Sequence, residues 1–329
     1  MTRRATVLFV ALGVAWGIPY LLIKVAVGEL SPSELVLART GLAAVILLPI
    51  AVARGAVRPV LRHWRWLAAF TAFEIAIPWL TLASAEQRLS SATTGLLMAA
   101  VPLAGLALAF VTGHAERLSP SGWVGLGLGV AGVAALVGLD VDTSDLGAVG
   151  ELAVTVVGYA IGPAILARRL GALPGLGVIA IALTATSLVY VPVVLIGDGV
   201  PTGLPSADVV WAVVLLATVC TGAAFLLLFA LVGEVGPVRA TTITYVNPAV
   251  AVVAGAVVLD EVVTAVTVLG FVLVVTGSYL VNKGPHRTRR SAAAGSGDIV
   301  GAQAVEGFPE PEPGGGAHEV RGTQSGARH

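Results

Sequence analysis

A single cysteine, Cys220, stands in 329 residues, so within one chain neither a disulfide framework nor a thiolate metal site can be built. Charge is equally scarce: Asp, Glu, Lys and Arg make up 12% of the chain, against ~25% in a soluble domain. Catalytic signatures are missing too. There is no H-E-x-x-H, no G-x-S-x-G and no P-loop lysine, which argues against a membrane protease or an ATP-driven pump. One dinucleotide-like match, Gly127-Leu128-Gly129-Val130-Ala131-Gly132, has no strand ahead of it and lies inside an apolar run, so it reads as helix packing. No cofactor, no metal and no nucleic-acid partner is expected, and the chain is not expected to be an enzyme.

What the chain has in abundance is apolar length. It is 57% hydrophobic, with a mean hydropathy of +0.93. The runs separate into ten candidate membrane spans, at about 5 to 27, 33 to 53, 66 to 84, 91 to 111, 121 to 139, 146 to 167, 175 to 196, 209 to 231, 239 to 259 and 264 to 282. Short polar joints connect them. Ser31-Pro32 and Ser119-Pro120 mark two joints, and Ser119 can cap the fifth helix with Pro120 in its first turn, where a missing N–H costs nothing. Arg3-Arg4 ahead of an apolar run resembles a signal-peptide opening, but the run is long, Lys24 interrupts its end and nine more spans follow. The expected class is an all-α integral membrane protein of ten transmembrane helices, with the lipid bilayer as its surroundings.

Charge alternates from joint to joint. One set of ends carries Arg3, Arg4, Arg54, Arg58, Arg62, Arg65, Arg117, Arg168, Arg169, Arg239 and Lys283, whereas the opposite set has Arg88 alone. The opposite joints are acidic, with Glu29, Glu34, Asp140, Asp142, Asp145, Asp198, Asp208, Asp260 and Glu261. The positive-inside rule then places both termini in the cytoplasm. Abundant Ala, Val, Gly and Arg point to a GC-rich bacterial genome and hence to the inner membrane. From Lys283 the chain turns to Gly, Ala, Pro and Glu without period, a composition too polar to offset its ordering entropy, so 284–329 reads as a disordered cytoplasmic tail.

The chain is also a duplication. Glu116-Arg117-Leu118-Ser119 with Gly125 and Gly132 returns as Glu261-Val262-Val263-Thr264 with Gly270 and Gly277, and each copy follows an apolar stretch bearing a proline, Pro102 or Pro248. Five spans separate equivalent points, so the two copies, 1–139 and 140–283, are expected to be inverted in the bilayer, as in many secondary transporters. Gly13 with Gly17, Gly125 with Gly129 and Gly158 with Gly162 allow close helix contact and permit a homodimer without requiring one.

In order along the chain, Trp16-Gly17, Lys24, Ser31-Pro32, Arg39, Pro102 and Glu116-Arg117-Leu118-Ser119, then Arg168-Arg169, Pro248 and Glu261, resemble the ten-span EamA-type transporters of the drug/metabolite transporter superfamily. Tyr159-Ala160 stands where Trp-Ala is common in that family. The resemblance covers about residues 5 to 282 and implies a bundle with a central cavity lined by spans one, three, four, six, eight and nine. Members with assigned functions mostly export amino acids or other small metabolites, and some handle toxic compounds or nucleosides. The expected function is secondary active export of a small molecule by alternating access. A membrane sensor or assembly partner that binds a ligand without moving it is the alternative, and flux separates the two.

Charges inside apolar spans are the first candidates for a site. Glu74 lies near the middle of span three, where a carboxyl can exchange a proton or serve as a static partner. Lys24 and Arg39, near the outer ends of spans one and two, can attract a carboxylate substrate, pair with Glu29, Glu34 or Glu74, or extend to the interface. Pro19, Pro78, Pro102, Pro163, Pro192 and Pro248 sit mid-span, and each frees a backbone carbonyl one turn earlier. Trp16 and Tyr20 flank Pro19, Trp79 follows Pro78, and Tyr245 and Asn247 precede Pro248; with Tyr159, these suit an amphipathic metabolite or ordinary packing. Glu116 and Glu261, at the starts of spans five and ten, read either as helix-end carboxylates favoured by the macrodipole or as gates pairing with basic residues, Arg117 or Arg169 for the first and Arg88 for the second.

Overall fold

The computed structural model describes residues 2–113, 119–139, 143–197, 203–235, 243 and 246–282. All regular structure among them is helical. The apolar rods are α1 (Arg3–Ala26), α2 (Pro32–Ala53), α3 (Trp64–Glu86), α4 (Ser91–Val111), α5 (Pro120–Gly138), α6 (Leu146–Leu170), α7 (Gly175–Gly197) and α8 (Ala207–Val235), followed by the shorter α9 (Asn247–Val258) and α10 (Ala265–Leu280). The first eight are long and apolar enough to cross a membrane. The ninth expected span reaches back to residue 239, and the described helix opens only at Asn247. The expected tail, 284–329, lies outside the described residues.

Helix starts follow local chemistry. Ser31 forms a capping box with Glu34: its hydroxyl accepts from Glu34 N at 3.1 Å, while Ser31 N donates to Glu34 Oε2 at 2.8 Å. Ser119 accepts from Gly122 N at 3.1 Å, as its sequence position suggests. Ser90, Ser206 and Thr264 take the same part for α4, α8 and α10.

Interruptions matter more than starts. α1 breaks at Ile18 ahead of Pro19, α4 breaks at Ala99 and Ala100 ahead of Pro102, and Pro248 stands in the first turn of α9. Pro19, Pro102 and Pro248 thus sit in first turns of helical segments, where the absent N–H is harmless. Wide π turns interrupt α3 at Thr71–Ala76 and α8 at Thr218–Ala223, and a third ends α6 at Leu166–Leu170. In hydrocarbon, freed backbone carbonyls must find donors within the protein. Tyr190 Oη donates to Ala76 O at 2.8 Å, and Ser278 Oγ to Ala99 O at 3.1 Å. Thr221 Oγ1 donates to Leu216 O at 2.8 Å.

Met1–His286 pack as one compact unit. Its largest helix interfaces join α5 to α10, α2 to α7, α3 to α6, α4 to α9 and α1 to α8, each pairing a helix of the first half with one of the second. Glycines bring several of these close. A Cβ on Gly17 would strike Val250, one on Gly162 would strike Glu74, and one on Gly277 would strike the backbone at Gly125 and Gly129. Gly13 and Gly158 likewise face Val246 and Phe73 with Pro78. The glycine pairs that permit a homodimer on sequence grounds are therefore used for contacts within one chain. Gly17→Ala and Gly277→Ala are expected to destabilise the detergent-solubilised protein by about 1–3 kcal/mol through overpacking. Gly127→Ala, with nothing within 4 Å of the added carbon, is expected to leave its melting temperature unchanged or slightly raised.

Candidate functional site

The side chain that organises the interior is Arg39 of α2, only 7% exposed. Its Nε donates to Thr221 Oγ1, in the π turn of α8, at 3.2 Å, and its guanidinium lies 3.6 Å from the centroid of the Trp79 ring in α3. A desolvated cation over an indole face contributes ~2 kcal/mol. None of the ion pairs among the described residues involves Arg39; they are Arg4 with Glu234 and Arg88 with Glu151. The pairing with Glu29, Glu34 or Glu74 raised by the sequence is therefore replaced by neutral partners. Geometry explains this: Glu34 caps its own helix and Glu29 reaches Ser206.

Near Arg39 lie Trp79, Tyr20 and Tyr159 of the aromatic candidates. Tyr20 of α1 and Tyr159 of α6 are close enough to feel its charge, and the Tyr159 hydroxyl takes a hydrogen bond from Trp79. Trp16 meets Phe225 edge-on, with ring centroids 6.1 Å apart. Asn247 is half-buried at the start of α9, where its Oδ1 has no hydrogen-bond partner among the described residues and its carbonyl lies against Gly17. Trp16, Tyr20, Arg39, Trp79, Tyr159 and Asn247 thus come from α1, α2, α3, α6 and α9, helices of both halves. Tyr245 and Glu116 lie outside the described residues.

Glu74 sits in the π turn of α3 with its carboxyl against the open face of Gly162, and Oε2 has no hydrogen-bond partner among the described residues. It belongs to the α3–α6 interface. Lys24 does not reach outward to the interface: its Nζ donates to Glu86 O at 2.7 Å and Leu89 O at 2.8 Å, holding the carbonyls that end α3. Glu86 itself is the residue the sequence reading passed over. It follows the third apolar run and looks like a joint residue, yet it is fully buried, and neither carboxyl oxygen has a hydrogen-bond partner among the described residues.

Glu261 neither caps its own helix nor meets Arg88. Thr264 caps α10, and Arg88 pairs with Glu151 at 2.9 Å. The Glu261 carboxylate instead crosses to the N-terminus of α4, accepting from Ser91 N at 2.8 Å, Ser91 Oγ at 3.0 Å and Ala92 N at 3.0 Å. Orphan N–H groups and the positive end of the helix make that a favourable seat for a carboxylate. Gly255 leaves the room it needs. At the same end of the bundle Glu29 accepts from Ser206 N at 2.7 Å. A surface cavity of about 550 Å³ lies elsewhere, against Arg58, Pro59, Leu61 and Arg62, and includes none of these candidates.

The model of the EamA-like transporter family matches residues 3–138 and 149–283. An uncharacterized inner membrane transporter, YedA, of Escherichia coli strain K12 is 29% identical over 279 residues, covering 82% of this chain and 90% of that protein; the YedA of strain O157:H7 matches equally. A solved crystal structure, described only as that of a protein, superposes with a TM-score of 0.58 at 21% identity over 84% of this chain and 95% of its own, a likeness of fold.

Two expectations arise from this geometry. Arg39→Lys keeps the charge but loses the planar stack and the Nε bond, so intrinsic tryptophan fluorescence should change and the melting temperature should fall. Hydrogen bonds from the Ser206 side chain and backbone hold the Glu29 carboxyl below its usual range. Its stabilising contribution is therefore present above the ordinary carboxylate pKa of ~4.3 and is lost as pH falls through the depressed value. Thermal melts from pH 7 to pH 3 should show a shallower acid loss in Glu29→Gln than in the parent protein.

Proposed function

The chain belongs to the EamA-like transporter family, and we propose that it is a secondary transporter that exports a small metabolite or a toxic compound across the bacterial inner membrane by alternating access. The observation that carries the reading is a buried cation at the junction of the two halves: Arg39 of the first half is held by Thr221 of the second and by Trp79, without a carboxylate partner among the described residues. A charge kept in the membrane interior faces a pathway or a ligand. Tyr20, Trp79 and Tyr159 supply aromatic faces near it.

The halves are proposed to be inverted five-span repeats, ten spans in all, with both termini cytoplasmic. The pattern of helix interfaces supports this. Exchanging each helix of the first half with its counterpart in the second leaves the set of pairs unchanged: α2 with α7, α4 with α9 and α5 with α10 map onto themselves, while α1 with α8 becomes α6 with α3. The π turns of α3 and α8 and the first-turn prolines Pro102 and Pro248 obey the same exchange. An odd number of spans per half makes such a pair inverted. In this arrangement Glu261 on α4 joins the halves at the outer end, and it opens when the substrate chamber faces outward.

Glu74 is the proposed coupling group, a carboxyl in mid-span at the α3–α6 interface that can carry a proton between the two orientations. Purified protein in liposomes, offered a panel of small metabolites and cationic drugs with and without a pH gradient, tests the reading. Substrate-specific flux above empty vesicles is expected, with the response to the gradient abolished in Glu74→Gln. Flux indifferent to gradient and substitution removes Glu74 from the mechanism. Binding by a folded protein without any flux favours a membrane sensor instead.

A further inference from the structure

We propose that the turn between α2 and α3 is a binding site for the headgroup of an anionic phospholipid, its phosphodiester held between Arg58 and Arg62. The site is separate from the transport pathway and depends neither on the molecule carried nor on the direction of transport. It begins with how the turn is built. Gly55, at φ 65°, ends α2, and Ala56 N donates back to Ala51 O at 2.9 Å, which closes the helix end. A short helix, Val57–Leu61, follows. Ala56 and Val60 are buried, and Gly177 of α7 leaves room for the Ala56 carbonyl and the Val60 side chain. That anchor fixes the orientation of the short helix and leaves Arg58, Leu61 and Arg62 exposed.

Arg58 and Arg62 stand one helical turn apart and, with Pro59 and Leu61, line an open cavity of about 550 Å³. Two guanidinium forks on one cavity suit the oxygens of a phosphodiester. Neither arginine forms an ion pair among the described residues, and no Asp or Glu stands in the sequence between Glu34 and Glu74. Arg54 and Arg65 are exposed on the same connection. Arg169 of α6 adds a further positive charge, its guanidinium 4.4 Å from the centroid of the Trp66 ring. Basic clusters of this size at a membrane surface attract anionic lipid. The apolar side chains favour a lipid over a soluble phosphate: Leu61 is 49% exposed, and Trp64, two residues beyond Arg62, is 65% exposed. Indole rings and apolar side chains are at home at headgroup level. The positive-inside rule asks for charge at this end, but it asks for neither a cavity between two arginines nor exposed indoles next to them. A zwitterionic headgroup brings its own ammonium to the phosphate and competes with the arginines, whereas an anionic one does not.

The test titrates the full-length purified protein, in a neutral detergent, with dioleoylphosphatidylglycerol or dioleoylphosphatidylcholine. Native mass spectrometry counts bound lipid, and thermal melts follow the stability it confers. Phosphatidylglycerol should bind ~10-fold tighter than phosphatidylcholine, because each arginine near the surface adds to the attraction. The preference should shrink in ~0.5 M NaCl, where charges are screened within a few ångströms. Arg58→Gln combined with Arg62→Gln should abolish it, while Arg58→Lys with Arg62→Lys, which keeps the charge and loses the fork, should retain only part. Arg3→Gln, at an exposed arginine that does not line the cavity, should leave it intact. Equal binding of the two lipids by the wild-type protein overturns the proposal without reference to any variant. So does a preference that survives in the glutamine pair, or one that Arg3→Gln reduces as much, which would make the effect one of general charge. Glycerol 3-phosphate should not displace the lipid; displacement at concentrations comparable to the lipid's would assign the cavity to a soluble phosphate and overturn the lipid site.

Discussion

A peptide group in hydrocarbon has no water to turn to, so every backbone donor and acceptor in this bundle must be satisfied by the protein itself. That requirement explains why the apolar runs are helices, and it governs what happens wherever a helix is interrupted. The breaks before Pro19 and Pro102 fall where proline occupies a first turn, and the wide turns of α3 and α8 release carbonyls that hydroxyls from neighbouring residues recover. Each recovery ties one helix to another or to its own irregular turn.

The same constraint distributes the polar side chains. Burial of apolar surface does little to associate helices in lipid, so close glycine contacts and hydrogen bonds between helices carry more of the specificity. Gly17, Gly162 and Gly277 allow backbones to approach, while Lys24 closes the C-terminal end of α3 and Glu261 the N-terminal end of α4. Both act on helix termini, the places where a helix cannot satisfy itself. Among the described residues, the groups left without partners are therefore informative, and they include Arg39 without a carboxylate, both carboxyl oxygens of Glu86, Glu74 Oε2 and Asn247 Oδ1.

Part of this site is legible in the sequence. Arg39 and Glu74 announce themselves as charges inside apolar runs, and Trp79 and Tyr20 as aromatics beside prolines. Glu86 does not, because it lies just past the apolar run and only tertiary packing buries it. The role of Lys24 was equally hidden, since its partners are carbonyls more than sixty positions away. Glu261 could be read as an end-of-helix carboxylate, but which helix it would cap is a matter of tertiary approach.

By itself the sequence determined the helical class, the positions of the rods and most of their ends. Hydrophobic length, capping residues and proline placement are local properties that act within a turn or two of the chain. The repeated spacing of Glu116 with Gly125 and Gly132 and of Glu261 with Gly270 and Gly277 is legible there too, since it needs no folded context. Tertiary structure alone decided which helices pair, which charges find partners and which are left over. Those outcomes depend on distances between residues remote in sequence.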